Sequence, residues 1–206
     1  MNMDPKSCPT CARMRTQLSE KDLEIQSLQA RIEELSRHDP LTGALNRRSL
    51  IQTLDAELQR ANRTGHPFCF VIMDLDRFRD VNDKYGHPAG DAALKTISDT
   101  AMKLLRALDS FGRLGGEEFG IVLPVTWLDQ AVIAMERLKK AVAGSESIVP
   151  EMVLTFSAGI TTNAFGDTAE SMTKRVEKAL DQAKREGGNR AVLAEEPLPV
   201  VPLIEM

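Results

Sequence analysis

Four acidic residues stand where they could work together. Asp74 and Asp76 close the apolar run Phe68-Cys-Phe-Val-Ile-Met73, and Glu117 and Glu118 follow the pair Gly115-Gly116 between two short β-type stretches. A strand ending in a loop presents its carboxylates at a sheet edge, and two glycines let a hairpin turn tightly and approach a ligand closely. If the hairpin pairs beside the first strand, the two acidic groups converge. Clustered carboxylate oxygens suit Mg²⁺ or Mn²⁺, and Mg²⁺ typically binds one or two carboxylates together with substrate phosphates. Such a centre could clamp a nucleotide and activate a hydroxyl for in-line attack on phosphorus. Either acidic pair alone is also what an ordinary solvated turn looks like. The combination is the specific signal.

The elements that would position these groups can be read from periodicity. From Cys11 to Leu35 a seven-residue repeat places Cys11, Leu18, Ile25 and Ile32 at one seam position. Met14, Lys21, Leu28 and Leu35 fall at the other. Ile at the first and Leu at the second favours a parallel two-stranded coiled coil over residues 11–38, with Lys21 fixing register; the alternative is an amphipathic helix packed on its own domain. Asp39-Pro40 breaks this helix and opens a globular part over 39–194. Leu45, Leu50, Ile51, Leu54 and Leu58 outline a helix, and the run 68–73 is a central strand covered on both faces. A second helix carries Ala93, Leu94, Ile97 and Ala101. Phe111–Leu114 and Phe119–Leu123 form a hairpin. A helix near 127–142, a strand at Val153–Ile160, a helix near 168–186 and a short strand near Ala191–Leu193 complete the pattern. The expected class is α/β, a mixed central sheet flanked by helices. Residues 1–10 and 195–206, both proline-bearing, are expected to be loose or disordered.

The chain of 206 residues is 42% hydrophobic and 27% charged, with a formal net charge of -4. That balance is globular and offers no general field for a nucleic acid, so any phosphate site must be local. The longest apolar run is too short to span a bilayer, and no export signal is visible. With three cysteines and no disulfide framework, the expected location is the cytoplasm.

Taken in order, the motifs resemble the GGDEF diguanylate cyclase family. Arg113-Leu-Gly-Gly-Glu-Glu-Phe119 looks like its GG(D/E)EF signature, in the GGEEF variant. Asp74-Leu-Asp-Arg-Phe-Arg-Asp-Val-Asn-Asp-Lys-Tyr-Gly-His-Pro-Ala-Gly-Asp91 resembles its nucleotide segment, Asp39-Pro-Leu-Thr its opening motif, and Phe156-Ser-Ala-Gly-Ile160 its later strand. The resemblance covers about 39–194 and implies a fold like nucleotidyl cyclases and polymerase palms. It also implies condensation of two GTP into cyclic di-GMP, with two loaded domains face to face. By the same resemblance, Asp74, Glu117 and the Leu75 carbonyl hold the metal, Glu117 helps deprotonate the attacking hydroxyl, and Glu118 supports it. Asn82 and Asp91 read guanine, although Asp91 would also serve as N-cap of a helix beginning near 92. Phe78 and Arg79 place backbone amides near the phosphates, with His87 close by. Lys184 reaches the terminal phosphates. The family's Lys-x-x-Gly-Arg-Asn reads Lys184-Arg-Glu-Gly-Gly-Asn189 here. Gly188 thus replaces the second cation, and in an extended segment Arg190 would share its face and partly substitute.

Arg106-Ala-Leu-Asp109 resembles the family's inhibitory RxxD site for cyclic di-GMP; the alternative is an ion pair at a helix end. A coiled coil would raise the effective concentration of the two domains in a homodimer. Cys8-Pro-Thr-Cys11 would contribute two thiolates per chain, four in a parallel dimer, a possible structural Zn²⁺ site. Cys69 is expected in the core. The competing reading from another class is a non-catalytic receptor for GTP or cyclic di-GMP, for which Gly188 leaves room.

Overall fold

The computed structural model describes residues 9–35, 37–145 and 153–195. The expectations for residues 1–8, Cys8 included, and for the tail beyond Glu195 fall outside that range. The chain divides into two compact units, one ending at Arg37 and the other beginning at His38.

In the first unit, α1 runs Pro9–Leu35 as one helix. Met14, Leu18, Ile25 and Leu28, which lie on the two seams, are each more than half exposed. Lys21 pairs with Glu24 at 2.6 Å across one helical turn.

The second unit is built on a five-stranded sheet of β1 (Phe68–Leu75), β2 (Ser110–Gly115), β3 (Glu118–Pro124), β4 (Phe156–Thr162) and β5 (Ala191–Leu193). The order is β2-β3-β1-β4-β5. Every neighbouring pair is antiparallel except β4 and β5, so the sheet is mixed, and the hairpin pairs beside β1 as the site requires. Among the described residues, five helices complete the unit: α2 (Arg47–Thr64), α3 (Phe78–Tyr85), α4 (His87–Leu104), α5 (Leu128–Ala143) and α6 (Ala169–Arg185).

Alternation along β1 explains its unbroken apolar sequence. Cys69, Val71, Met73 and Leu75 enter one core with residues of α4 and α5. Phe68, Phe70 and Ile72 enter the opposite core with residues of α2 and α6. Each large side chain so buried contributes about 1.5–3 kcal/mol. Gly159 on β4 lets α6 sit close, because a Cβ there would run into the Val176 carbonyl and the Leu180 amide. The Cys69 thiol is fully buried, and burial pushes it up to about 12, so it is the inert core residue expected.

Four local expectations change. Leu45 lies outside α2, which Asn46 caps by accepting from the Ser49 N–H at 2.9 Å; Leu45 bridges His38 and Gly112 instead. β4 begins at Phe156 rather than Val153, and the Thr155 carbonyl accepts from the Asp76 N–H at 3.0 Å, one rung beyond the β1–β4 ladder. α3 is only eight residues long and has no buried residue, so its half-buried Phe78, Val81 and Tyr85 give too short a period to find it by. α4 starts at His87, with Pro88 in its first turn, so Asp91 is inside the helix and is not its N-cap.

An ion pair ties α6 to the end of β4. Arg175 reaches Asp167 at 2.7 Å, both mostly buried, and also donates to the Thr161 hydroxyl and the Thr162 carbonyl. Burial alone would raise the Asp167 carboxyl, but the Arg175 guanidinium, the Ser171 hydroxyl and the Ala164 N–H outweigh it and hold it below its ordinary value. A depressed carboxylate stabilises the fold above its unfolded value, about 3.9, and that contribution is lost as pH falls through the folded value. Asp167→Ala, which strands a buried guanidinium, is expected to cost about 3 kcal/mol in urea denaturation. Asp167→Asn should flatten the acid limb of the stability profile.

Candidate active site

The β1–β3 register sets the site. Asp74 stands directly opposite Glu118 at the last rung, and the Leu75 N–H approaches the Glu117 carbonyl at 3.4 Å. Glu118 is therefore the first residue of β3, while Gly116 and Glu117 make the turn. Gly116 sits at φ 51, a conformation glycine adopts without steric cost, and a shift of register between Arg113 and Gly115 sharpens the bend.

The hairpin is clamped from the unit's own opening motif. Asp39 accepts from the Thr42 N–H and hydroxyl at 2.9 and 2.7 Å and receives Arg113 Nη1 at 3.3 Å. The same guanidinium donates through Nε and Nη2 to the Gly116 carbonyl at 3.0 and 2.8 Å. Arg113 thus joins the first turn of the domain to the residue preceding Glu117.

Asp74, Leu75 and Glu117 open onto one cleft of about 700 Å³ with Asp76, Arg77, Phe78, Arg79, Thr155, Lys184 and the 187–189 loop. Asp74 is almost fully buried. Burial raises its carboxyl to about 6; the Lys184 hydrogen bond and charge oppose the rise, while Glu117 and Glu118 add to it. Lys184 Nζ lies 2.9 Å from Asp74 Oδ2. Among the described residues no three His, Cys, Asp or Glu side chains form a metal cage. Two carboxylates and a carbonyl beside an open cleft fit Mg²⁺, which completes its shell with phosphates and water. No such test extends to Zn²⁺ at Cys8 and Cys11, since Cys8 lies outside the described residues.

Asp76 serves a different purpose. It accepts from the Thr155 and Ser157 hydroxyls at 2.8 and 2.6 Å and from the Asn189 N–H at 2.9 Å, anchoring the loop after α6. Gly188 sits at φ 74 against it, and a Cβ there would come within 2.9 Å of Asp76 Oδ1. The segment is consequently not extended, and the expected sharing of a face by positions 188 and 190 fails. Arg190 turns away to Glu186 at 2.8 Å and does not line the cleft.

Asn82 Oδ1 is buried without a hydrogen-bond partner and lies against Gly90, where a Cβ would collide with it. Asp91 is the next residue on α4 and is exposed. Asn82 thus lies against the residue preceding Asp91 with an acceptor in want of a donor, and neither of the two expected guanine-reading residues is among those lining the cleft. His87 is exposed at the first position of α4. α3 begins at Phe78 without a side-chain cap, leaving its first N–H groups for a ligand.

A second cleft, of about 210 Å³, is lined by Arg106, Asp109, Gln130, Ile133 and Arg137 among others. Asp109 Oδ2 accepts from the Arg106 backbone N–H at 2.8 Å, and the Asp109 N–H donates to the Arg106 carbonyl at 3.0 Å. The pair forms a turn beyond the end of α4, and no Arg106–Asp109 side-chain ion pair occurs among the described residues. Arg137, 31 positions on, had no sequence signal; only the packing of α5 beside the turn brings it in.

The sequence profile described as "Diguanylate cyclase, GGDEF domain" matches residues 36–190. The chain belongs to the GGDEF-domain family. It is 39% identical over 158 residues to the diguanylate cyclase DgcP of Pseudomonas aeruginosa, covering 76% of this chain and 24% of DgcP. Among solved structures, diguanylate cyclase SiaD of Pseudomonas aeruginosa, in complex with its activator SiaC, superposes with a TM-score of 0.74 at 34% identity, over 89% of this chain and 72% of SiaD. The GGDEF domain of DgcB from Caulobacter crescentus, in complex with c-di-GMP, gives 0.74 at 26%, over 78% and 94%. The chain spans well under half of the first curated relatives' own length, from 24% to 42%.

Removing Arg113 should loosen the GGDEF hairpin. Arg113→Ala leaves the Gly116 carbonyl unpaired and Asp39 with Thr42 alone, and is expected to cost about 1–3 kcal/mol in chemical denaturation. Arg113→Lys, which restores charge without the fork, should recover only part of it.

Proposed function

We propose that this GGDEF chain is a diguanylate cyclase that condenses two GTP into cyclic di-GMP with release of two pyrophosphates. The observation that carries the reading is the opening of Asp74, the Leu75 carbonyl and Glu117 onto one cleft with the uncapped start of α3 and Lys184. A divalent cation bound there would neutralise charge developing on the α-phosphate and its leaving group. Glu117, at the turn, takes the proton from the 3′-hydroxyl of the GTP held by the facing domain. That oxygen bonds to the α-phosphorus as the bond to pyrophosphate breaks, and a second round with roles exchanged closes the ring. Lys184 leaves Asp74 for the terminal phosphates when nucleotide and metal enter.

Guanine selection falls to Asn82 and Asp91. The unpartnered Asn82 Oδ1 gains a donor from guanine, and a buried acceptor left unpaired costs about 1–3 kcal/mol. Asp91, free of a capping duty, can accept from N1–H and the 2-amino group. The facing domain comes from a homodimer through the apolar stripe of α1, with Met14, Leu18, Ile25 and Leu28 in the seam. Cyclic di-GMP returns to the Arg106, Asp109 and Arg137 cleft as an inhibitor; three charged groups there suit a guanine edge and a phosphate.

Purified protein incubated with GTP and Mg²⁺ is expected to yield cyclic di-GMP, and Glu117→Gln to yield none. In the same assay, added cyclic di-GMP should slow the wild type and not Arg106→Ala. Retained GTP binding without product from a verified dimer would instead support the receptor reading.

A further inference from the structure

A nucleotide triphosphate carries about four negative charges to the phosphate end of its site, and the family's second cation is missing at Gly188. The loop around Gly188 cannot replace it with backbone donors. The N–H groups of Gly187 and Gly188 donate to Lys184 and Ala183 carbonyls, and that of Asn189 to Asp76. Arg190 is held by Glu186 at 2.8 Å. The cationic side chains lining the cleft among the described residues are Arg77, Arg79 and Lys184.

Of these three, Arg77 alone stands in the left-handed region, at φ 57 and ψ 29. A non-glycine residue there is strained, and such strain persists where the surrounding structure imposes it, often at ligand sites. Nothing local repays it through the side chain. Arg77 makes no capping hydrogen bond to α3, and its ion pair with Asp80 is 3.4 Å long between side chains that are 85% and 69% exposed. Such pairs contribute little to stability. Arg79, by contrast, lies in regular helix within α3, and Lys184 is shared with Asp74. Arg77 therefore presents a nearly free guanidinium one residue after Asp76, the carboxylate that accepts from the Asn189 N–H in the same loop as Gly188. It lines the same cleft as Gly188, the position where the cation is missing.

Building on the reading of the cleft as a GTP site, we infer that Arg77 supplies the second cation for the β- and γ-phosphates in this chain. Arg77 already lines the cleft, and the weak tie to Asp80 is released when the phosphates arrive. The planar fork suits two phosphate oxygens at once.

Arg77→Gly separates this role from a structural one, because glycine relieves the strain while removing the charge. Binding of 3′-deoxy-GTP, which cannot react, and of GMP, which lacks the outer phosphates, is measured by calorimetry with Mg²⁺ on the full chain. Arg77→Gly is expected to bind 3′-deoxy-GTP about tenfold or more weakly, to bind GMP as the wild type does, and to melt no lower. Arg77→Lys should recover part of the loss. Unchanged 3′-deoxy-GTP affinity, or equal losses for both nucleotides with a lower Tm, would overturn the inference. A wild type that binds neither nucleotide would overturn the GTP reading and this inference with it, a result visible before any variant is compared.

Discussion

Everything chemical in this domain depends on the antiparallel register between β1 and β3. Side chains alternate along a strand, so a slip of one residue would send Asp74 to the opposite face and Met73 into the cleft. The register holds because both strands are buried on two faces and their apolar sets match two separate cores, one with α4 and α5, the other with α2 and α6. Packing energy thus fixes the position of a carboxylate that burial itself disfavours. Asp74 tolerates its setting because Lys184 and the open cleft compensate it, and a metal ion would do so further.

The turn that carries Glu117 is held with similar economy. One guanidinium, Arg113, satisfies both the Gly116 carbonyl and Asp39. The turn that carries Glu117 is therefore referenced to the first turn of the domain, at Asp39–Thr42. A change in how the chain enters at His38 and Asp39 has a short path to Glu117, through two hydrogen-bonded contacts.

Much of this was legible in the sequence. The wholly apolar run 68–73, the glycine pair before two glutamates and the periodic helices gave the sheet, the hairpin and the convergence of Asp74 with Glu117. What escaped detection has identifiable causes. α3 is only eight residues long, so its apolar positions Phe78, Val81 and Tyr85 span too few turns to stand out as a period. Asp91 looked like a cap because Gly86, which ends α3 and begins α4, leaves no side-chain signature of a boundary there. Asp76 read as a possible ligand, yet its three donors come from residues 79 to 113 positions away. Arg190 was assigned by assuming an extended segment, and that assumption failed because Gly188 and Asn189 both adopt positive φ.

The central claim is that Asp74 and Glu117 form one metal site rather than two separate acidic positions. Mn²⁺ binding in the presence of 3′-deoxy-GTP, followed by electron paramagnetic resonance for the wild type, Asp74→Asn, Glu117→Gln and the double variant, tests it most directly. One tight shared site should weaken strongly in either single variant, with little further loss in the double. Independent, additive losses, or tight binding retained in both single variants, would contradict the account.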